Sequence, residues 1–92
     1  MSAYVVVKLA VKDTAAKDRY SAAAGPTIKA FGGQFIVGGA WTSLAGELGL
    51  GAGAIIQFAD REQALAWYNS PAYQATLADR EAGMESRFRL IG

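Results

Sequence analysis

The sequence predicts an α+β fold in which four strands and two helical regions follow one another as βαββαβ. Three patterns lead to this prediction. Apolar and β-branched residues dominate residues 3–11, and both this run and residues 85–91 alternate between two faces. A stripe of apolar residues with a helical period follows the first run. A capped helical region precedes the last run. The chain of 92 residues has room for one domain, spanning 1–92.

The first strand has apolar residues on both of its faces. One face holds Val5, Val7, Leu9 and Val11, and the other holds Tyr4, Val6, Lys8 and Ala10. Such a strand needs cover on both sides, which helices on one side of a lone sheet do not provide. We therefore predict that a second subunit covers the face that includes Val6.

The first helix is predicted to begin beside Asp13 or Thr14, either of which can cap it. Gly25 and Pro26 fall inside the helix, so we expect it to bend or restart there. Gly32 and Gly33 are expected to end it. Its apolar stripe consists of Ala16, Tyr20, Ala23, Ala24, Thr27, Ile28 and Phe31.

Two further strands are predicted at residues 34–44 and 54–59. Gly38 and Gly39 interrupt the first of them, which indicates a bulge or the close approach of another backbone. The connection, residues 46–53, reads GELGLGAG. It lacks the Lys-Ser/Thr pair of a phosphate-binding loop and the spacing of a dinucleotide-binding loop, so we interpret it as a flexible hairpin.

The second helical region is predicted to begin near Arg61, capped by Asp60. Ser70 and Pro71 interrupt the region and start a new helix, with Ser70 as the cap and Pro71 at the first position. That helix is expected to end near Gly83. The first part should bury Ala64, Leu65 and Tyr68 with Trp67 at the margin, and the second should place Tyr73, Leu77 and Arg80 on one face.

This order of elements is the ferredoxin-like, or split βαβ, pattern. It implies a four-stranded antiparallel sheet with both helical segments on one face. We expect the open faces of two copies to meet, so that the homodimer forms an α+β barrel.

Composition excludes several classes of function. The net charge of +1 comes without a basic block, which argues against a nucleic-acid partner or an anionic membrane. No cysteine and no histidine are present, so disulfides, histidine-bound metals and histidine proton transfer are excluded. We expect no metal. The sequence shows no membrane-spanning run and no signal peptide, and we therefore expect a cytoplasmic protein.

Four stretches resemble the domain-of-unknown-function family 1330 over nearly the whole chain. They are AWYNSPAYQ with Arg80 beyond it, IIQFADREQAL, AFGGQFIVGG and the closing IG. The resemblance implies membership of the dimeric α+β barrel superfamily, which includes cofactor-independent monooxygenases, haem-degrading enzymes and small isomerases. Gln57 stands where members often have Glu, and the glycine-rich loop stands where they have basic residues. Without histidine, haem of the superfamily's histidine-ligated kind has no ligand, and we expect no cofactor.

The candidate ligand-binding residues are aromatic, apart from one arginine. They are Tyr4, Tyr20, Trp67, Tyr68, Tyr73 and Arg80. The rings can line a pocket for an aromatic metabolite or pack as core, and the Tyr hydroxyls can donate into a cleft. Arg80 can bind a substrate carboxylate or form a structural ion pair. No residue is assigned a catalytic role, since Ser70 has no histidine to activate it and its cap position explains it.

The functional prediction is a homodimer that binds a small aromatic or oxo metabolite between sheet and helices. Its activity would be monooxygenase-like or isomerase-like and independent of a cofactor. The alternative is a non-catalytic homodimeric binding or structural module. A cavity lined by Tyr4, Tyr68, Tyr73 and Arg80 would favour the first hypothesis, whereas rings packed without a void would favour the second.

Overall fold

Four antiparallel strands form one sheet, and every helix lies on one side of it. The strands are β1 (Ala3–Val11), β2 (Gln34–Ala40), β3 (Ala52–Phe58) and β4 (Met84–Ile91), and their order in the sheet is β2-β3-β1-β4. The helices are α1 (Thr14–Ala30), α2 (Arg61–Asn69), α3 (Pro71–Gln74) and α4 (Leu77–Gly83). This computed structural model describes all residues from 1 to 92. The predicted βαββαβ order is confirmed.

The core lies between the sheet and the helices. Val5 pairs with Ile56 and Leu90, and Val7 pairs with Phe88, so these side chains share the helix-facing side of the sheet. The alternation predicted for residues 3–11 and 85–91 is therefore correct. The largest fully buried side chains are Trp67, Tyr73 and Phe58. No helix has the length and apolar character needed to cross a membrane.

Helix α1 runs continuously through Pro26. The sequence predicted either a bend or a restart at this position, and the helix does not restart. Tyr20, Ala24 and Ile28 are buried on both sides of the proline, and that packing outweighs one missing backbone hydrogen bond. Gly25 helps, because a residue before proline without Cβ avoids the clash that normally disfavours helix there. The cap is Asp13, which accepts hydrogen bonds from the backbone N–H groups of the first turn.

Helix α2 is rotated relative to the prediction. Trp67 is fully buried instead of marginal, and Leu65 is 43% exposed instead of buried. The indole ring lies 5.3 Å from the Phe58 ring, and its N–H donates to Thr27 Oγ1 at 3.1 Å. A tryptophan gains more from burial than a leucine, so Trp67 sets the rotation of the helix.

The helix predicted after Ser70 is interrupted. Ser70 caps α3 by accepting a hydrogen bond from the Tyr73 N–H, as predicted. The backbone then tightens at Thr76, whose N–H donates to the Tyr73 carbonyl three residues back at 2.8 Å, and α4 begins at Leu77. The segment ends at Gly83, as expected.

Strand β2 is an edge strand whose residues are all exposed, and it ends at Ala40 instead of residue 44. Its register shifts between Phe35 and Val37, so the bulge lies at Ile36 and not at the glycines. Trp41 folds back over Gly53, where any Cβ would collide with the indole. The ring therefore lies on the open side of the sheet.

Replacing Gly83 with alanine should destabilise the fold by about 1–3 kcal/mol, the usual cost of overpacking. A Cβ at Gly83 would lie 2.8 Å from the Lys17 Cα, where the end of α4 meets α1. Urea unfolding measures the change. Gly51→Ala is the control, because a Cβ there meets no atom within 4 Å. Equal stability of the two variants would contradict this tight contact.

Candidate functional site

Four polar side chains, each from a different helix, meet inside the helical layer. Tyr20 comes from α1, Tyr68 from α2, Tyr73 from α3 and Arg80 from α4. The Tyr20 and Tyr73 hydroxyl oxygens are 2.7 Å apart. Arg80 Nη1 donates to the Tyr68 hydroxyl at 3.0 Å and to the Tyr73 hydroxyl at 3.2 Å. We call these four residues the tyrosine–arginine cluster.

The local sequence explains why the cluster forms. The chain turns at Ser70 and Pro71, which brings the Tyr68 and Tyr73 rings to 5.2 Å although they lie on different helices. Arg80 follows Tyr73 by seven residues and returns to the same side despite the break at Thr76. Tyr20 meets Tyr73 edge to face, with ring centroids 6.2 Å apart.

The Arg80 charge is enclosed mainly by aromatic rings. Its guanidinium carbon lies 4.9 Å from the Phe88 ring centroid and 5.8 Å from that of Tyr68, distances typical of cation–π interactions. The side chain is 12% exposed. Its acidic neighbour is Glu81, whose carboxylate is 3.4 Å away and largely exposed, so this ion pair is weak. The buried Arg80 Nε has no hydrogen-bond partner.

Burial keeps two phenols of the cluster, Tyr20 and Tyr73, neutral. Burial raises the pKa of Tyr20, and the neighbouring Tyr73 raises that pKa further. Burial also raises the pKa of Tyr73, although the hydrogen bonds that it shares with Tyr20 and Arg80 oppose the rise. For Arg80, burial lowers the pKa, but the hydrogen bonds to Tyr68 and Tyr73 more than offset this and the net pKa is raised. The cluster therefore pairs the neutral phenols of Tyr20 and Tyr73 with a permanent cation.

A cleft of about 220 Å³ opens between α1 and the sheet, beside the cluster. We call it the α1 cleft. Its lining is mostly apolar, and Lys17 is the charged residue in it. The lining residues are Val7, Leu9, Lys17, Tyr20, Ser21, Ala24, Gly25, Ile28, Phe35, Ala54, Ile56, Met84 and Phe88.

A second hollow of about 270 Å³ lies between α2 and the sheet. Tyr68 lines it, and Phe88 lines both hollows and separates them. Each hollow therefore has one tyrosine that is linked to Arg80. The α1 cleft is the more enclosed of the two, and it is the candidate site.

The structure brings together five of the six predicted site residues. Trp67 packs on Tyr73 with ring centroids 4.3 Å apart, and both side chains are fully buried. Tyr4 is the exception. It lies on the opposite face of the sheet, where its hydroxyl is 3.5 Å from Gln57 Nε2. The cavity lined by Tyr4 together with Arg80 therefore does not form, because residues of even number in β1 face away from the helices.

Two contributors to the site were not among the predicted site residues. Phe88 lies under the Arg80 guanidinium, and Lys17 lines the α1 cleft. The sequence did contain a signal for Phe88, because the alternation of β4 places it on one face of the strand with Ser86 and Leu90. Lys17 lies one helical turn before Tyr20, a spacing that puts both on one side of α1.

Raising the pH above about 10 should destabilise the fold, because tyrosines of the unfolded chain ionise there while Tyr20 and Tyr73 stay protonated in the folded state. Their stabilising contribution is complete below that pH and is lost as the pH rises. Urea unfolding between about pH 8 and about pH 11 measures it. Tyr20→Phe should make the free energy of unfolding less dependent on pH. An unchanged dependence would contradict the raised pKa of Tyr20.

Comparison with solved structures shows the same fold at low sequence identity. A protein of unknown function from Rhodopseudomonas palustris superposes with a TM-score of 0.79 at 15% identity, over 98% of this chain and 80% of that one. SnoaB, a cofactor-independent oxygenase from Streptomyces nogalater, gives 0.72 at 13% identity, over 99% and 91%. A dimeric ferredoxin-like protein of unknown function from Jannaschia sp. CCS1 gives 0.68 at 15%, over 100% and 99%. No protein with a curated function matches the sequence.

The ferredoxin-like fold predicted from the sequence is thus confirmed. The family model named Domain of unknown function (DUF1330) matches residues 2–92, almost the entire chain. The match includes the AWYNSPAYQ stretch, which supplies Tyr68 and Tyr73 to the cluster. The chain therefore belongs to the DUF1330 family.

Proposed function

We propose that the protein binds a small aromatic or oxo metabolite in the α1 cleft, with the Tyr20 hydroxyl as the hydrogen-bond donor to a ligand oxygen. The observation that supports this proposal most is the chain of contacts from Arg80 through Tyr73 to Tyr20, which ends at a residue lining the cleft. An apolar cleft with a few convergent polar groups is typical of small-molecule sites.

The hydroxyl protons give this chain of contacts a direction. A phenol donates one hydrogen bond and accepts others, and the Tyr73 oxygen already accepts from Arg80. If Tyr20 donated to Tyr73, the proton of the fully buried Tyr73 would have no acceptor. If Tyr73 donates to Tyr20 instead, the remaining proton belongs to Tyr20. A ligand oxygen in the cleft is then its natural acceptor.

Such a donor suits chemistry at a carbonyl group. A neutral phenol polarised by a buried cation stabilises negative charge that develops on a ligand oxygen, as in an enolate. Enolates are intermediates both in oxygenation without a cofactor and in isomerisation of carbonyl compounds. The fold shared with SnoaB supports the oxygenase-like alternative, although the low identity limits that likeness to the fold. The α1 cleft is lined by no carboxylate or histidine, so a substrate would have to be readily ionised.

Tyr20→Phe should weaken binding of the neutral ketone 2-acetonaphthone about fivefold, since a neutral hydrogen bond contributes about 1 kcal/mol. Amide chemical shifts of the labelled protein measure the affinity and report the site, which should include Ala24 and Ile28. Tyr4→Phe is the matched control, because Tyr4 lies on the other face of the sheet. Unchanged affinity in Tyr20→Phe, or shifts confined to the open face, would refute the proposal.

The second candidate is a non-catalytic homodimeric module. The complete burial of Trp67 and Tyr73 favours it, because neither ring is free to contact a ligand. In that case the cluster serves to hold four helices together. Absence of binding by wild-type protein together with a strong loss of stability in Tyr20→Phe would favour this module.

We further propose that the protein is a homodimer joined through the open face of the sheet. Val6, Ile55 and Val37 lie side by side in the register on that face, and no helix covers them. Val37 is 55% exposed and Ile91 is 64% exposed. A chain of this size gains much of its apolar burial by pairing such a face with its copy. The fold neighbour from Jannaschia is described as dimeric, which agrees with the proposal.

Ile55→Arg should convert the dimer to a monomer, because it places two charges at the centre of the paired faces. Native mass spectrometry and sedimentation velocity measure the assembly, and the same spectrum reports any small molecule that copurifies. Leu65→Arg is the control, because Leu65 lies on the helical layer and is 43% exposed. A wild-type monomer, or a dimer that survives Ile55→Arg, would exclude this interface.

A further inference from the structure

We infer that the α1 cleft selects an anionic aromatic ligand, an aryl carboxylate, held between Lys17 and Tyr20. This inference rests on the proposed binding function and names the ligand class for that site. It follows from the charges around the cleft, the positions of the two residues on α1 and the space beside Gly25.

The charge around the cleft is one-sided. No aspartate or glutamate lines the cleft. Lys17 is the charged residue among the residues that line it. Arg80 adds a second positive charge behind Tyr73, with Glu81 as a weak and exposed partner. An apolar cleft with one cation in its lining and a second behind Tyr73 favours a ligand with an apolar body and a negatively charged end.

Lys17 is available to such a ligand. Its ammonium nitrogen is 3.7 Å from an Asp18 carboxylate oxygen, and both side chains are partly or largely exposed, so the pair is weak. Asp13, one turn before Lys17, accepts hydrogen bonds from the backbone N–H groups of Ala15 and Ala16, and Asp79 is bound by Arg19 at 3.2 Å. A ligand carboxylate that also reaches Tyr20 therefore has an advantage over Asp18.

Lys17 and Tyr20 lie three residues apart on α1, which places them next to each other on one side of the helix. One carboxylate can then accept from both groups, one charged and one neutral. Charge-assisted hydrogen bonds are roughly twice as strong as neutral ones. A carboxylate is therefore preferred over a ketone of the same shape.

The room beside Gly25 fits a flat ring. Gly25 lines the cleft, and a Cβ built there meets no atom within 4 Å. The volume of about 220 Å³ is below the roughly 300 Å³ where ordinary ligand pockets begin. A ligand of about one or two fused rings is the size that this space accepts.

The test compares 2-naphthoate with 2-acetonaphthone, which have nearly the same shape and differ in charge. Wild-type protein should bind 2-naphthoate about tenfold more tightly at low salt, and the preference should shrink as salt is added. Lys17→Met should abolish the preference, because the affinity for 2-naphthoate falls to about that for the ketone. Amide chemical shifts measure both affinities and confirm that both probes occupy the α1 cleft.

Lys12→Met removes the same formal charge from an exposed position just before α1, and it should keep the preference. If Lys12→Met and Lys17→Met reduced the preference for 2-naphthoate equally, the role of Lys17 would be overturned and a general effect of net charge would be indicated. Equal affinity of wild-type protein for both probes would overturn the inference and leave the proposed binding function intact. If neither probe binds, both fail.

Discussion

The buried positive charge of Arg80 is the constraint on which the helical layer depends. A guanidinium with 12% exposure needs partners, since an unpaired buried charge is strongly destabilising. Here the partners are phenols and a ring face instead of a carboxylate, and Tyr68, Tyr73 and Phe88 come from three different elements. Tyr20 joins through Tyr73. One charge therefore fixes the relative positions of four helices and the last strand, and the α1 cleft keeps its shape because they are fixed.

The same architecture explains why the two faces of the sheet have different roles. The face toward the helices is filled by Val5, Val7 and Ile56, and it leaves space only beside α1 and α2. The other face carries Val6 and Ile55 with no helix over them. A ligand site on the helix side and a self-association surface on the open side are compatible, because neither uses the other's residues.

Local patterns in the sequence determine most of the fold, and tertiary packing decides the rest. The strand alternation, the Asp60 and Ser70 caps and the end at Gly83 follow from short-range chemistry and were predictable. The rotation of α2 was not, because it depends on Trp67 meeting Phe58 and Thr27 from distant segments. Helical continuity at Pro26 likewise depends on burial of Tyr20 and Ile28. For the site, residue type identified the tyrosines and Arg80. The alternation that placed Tyr4 beside Val6 already argued against Tyr4 in the site, and the strand register agrees with that alternation.

A hydrogen-bond network built on tyrosine has a consequence that a histidine site would not have. Histidine changes charge near neutral pH, whereas the raised pKa values of Tyr20 and Tyr73 keep both phenols neutral well above it. The Arg80 charge is equally constant, because the hydrogen bonds that it donates to Tyr68 and Tyr73 raise its pKa further. The donor offered to the cleft is therefore the same across the whole physiological range. A carboxylate ligand is also ionised throughout that range, since carboxyl groups ionise at about pH 4. Binding of such a ligand should therefore change little with pH there.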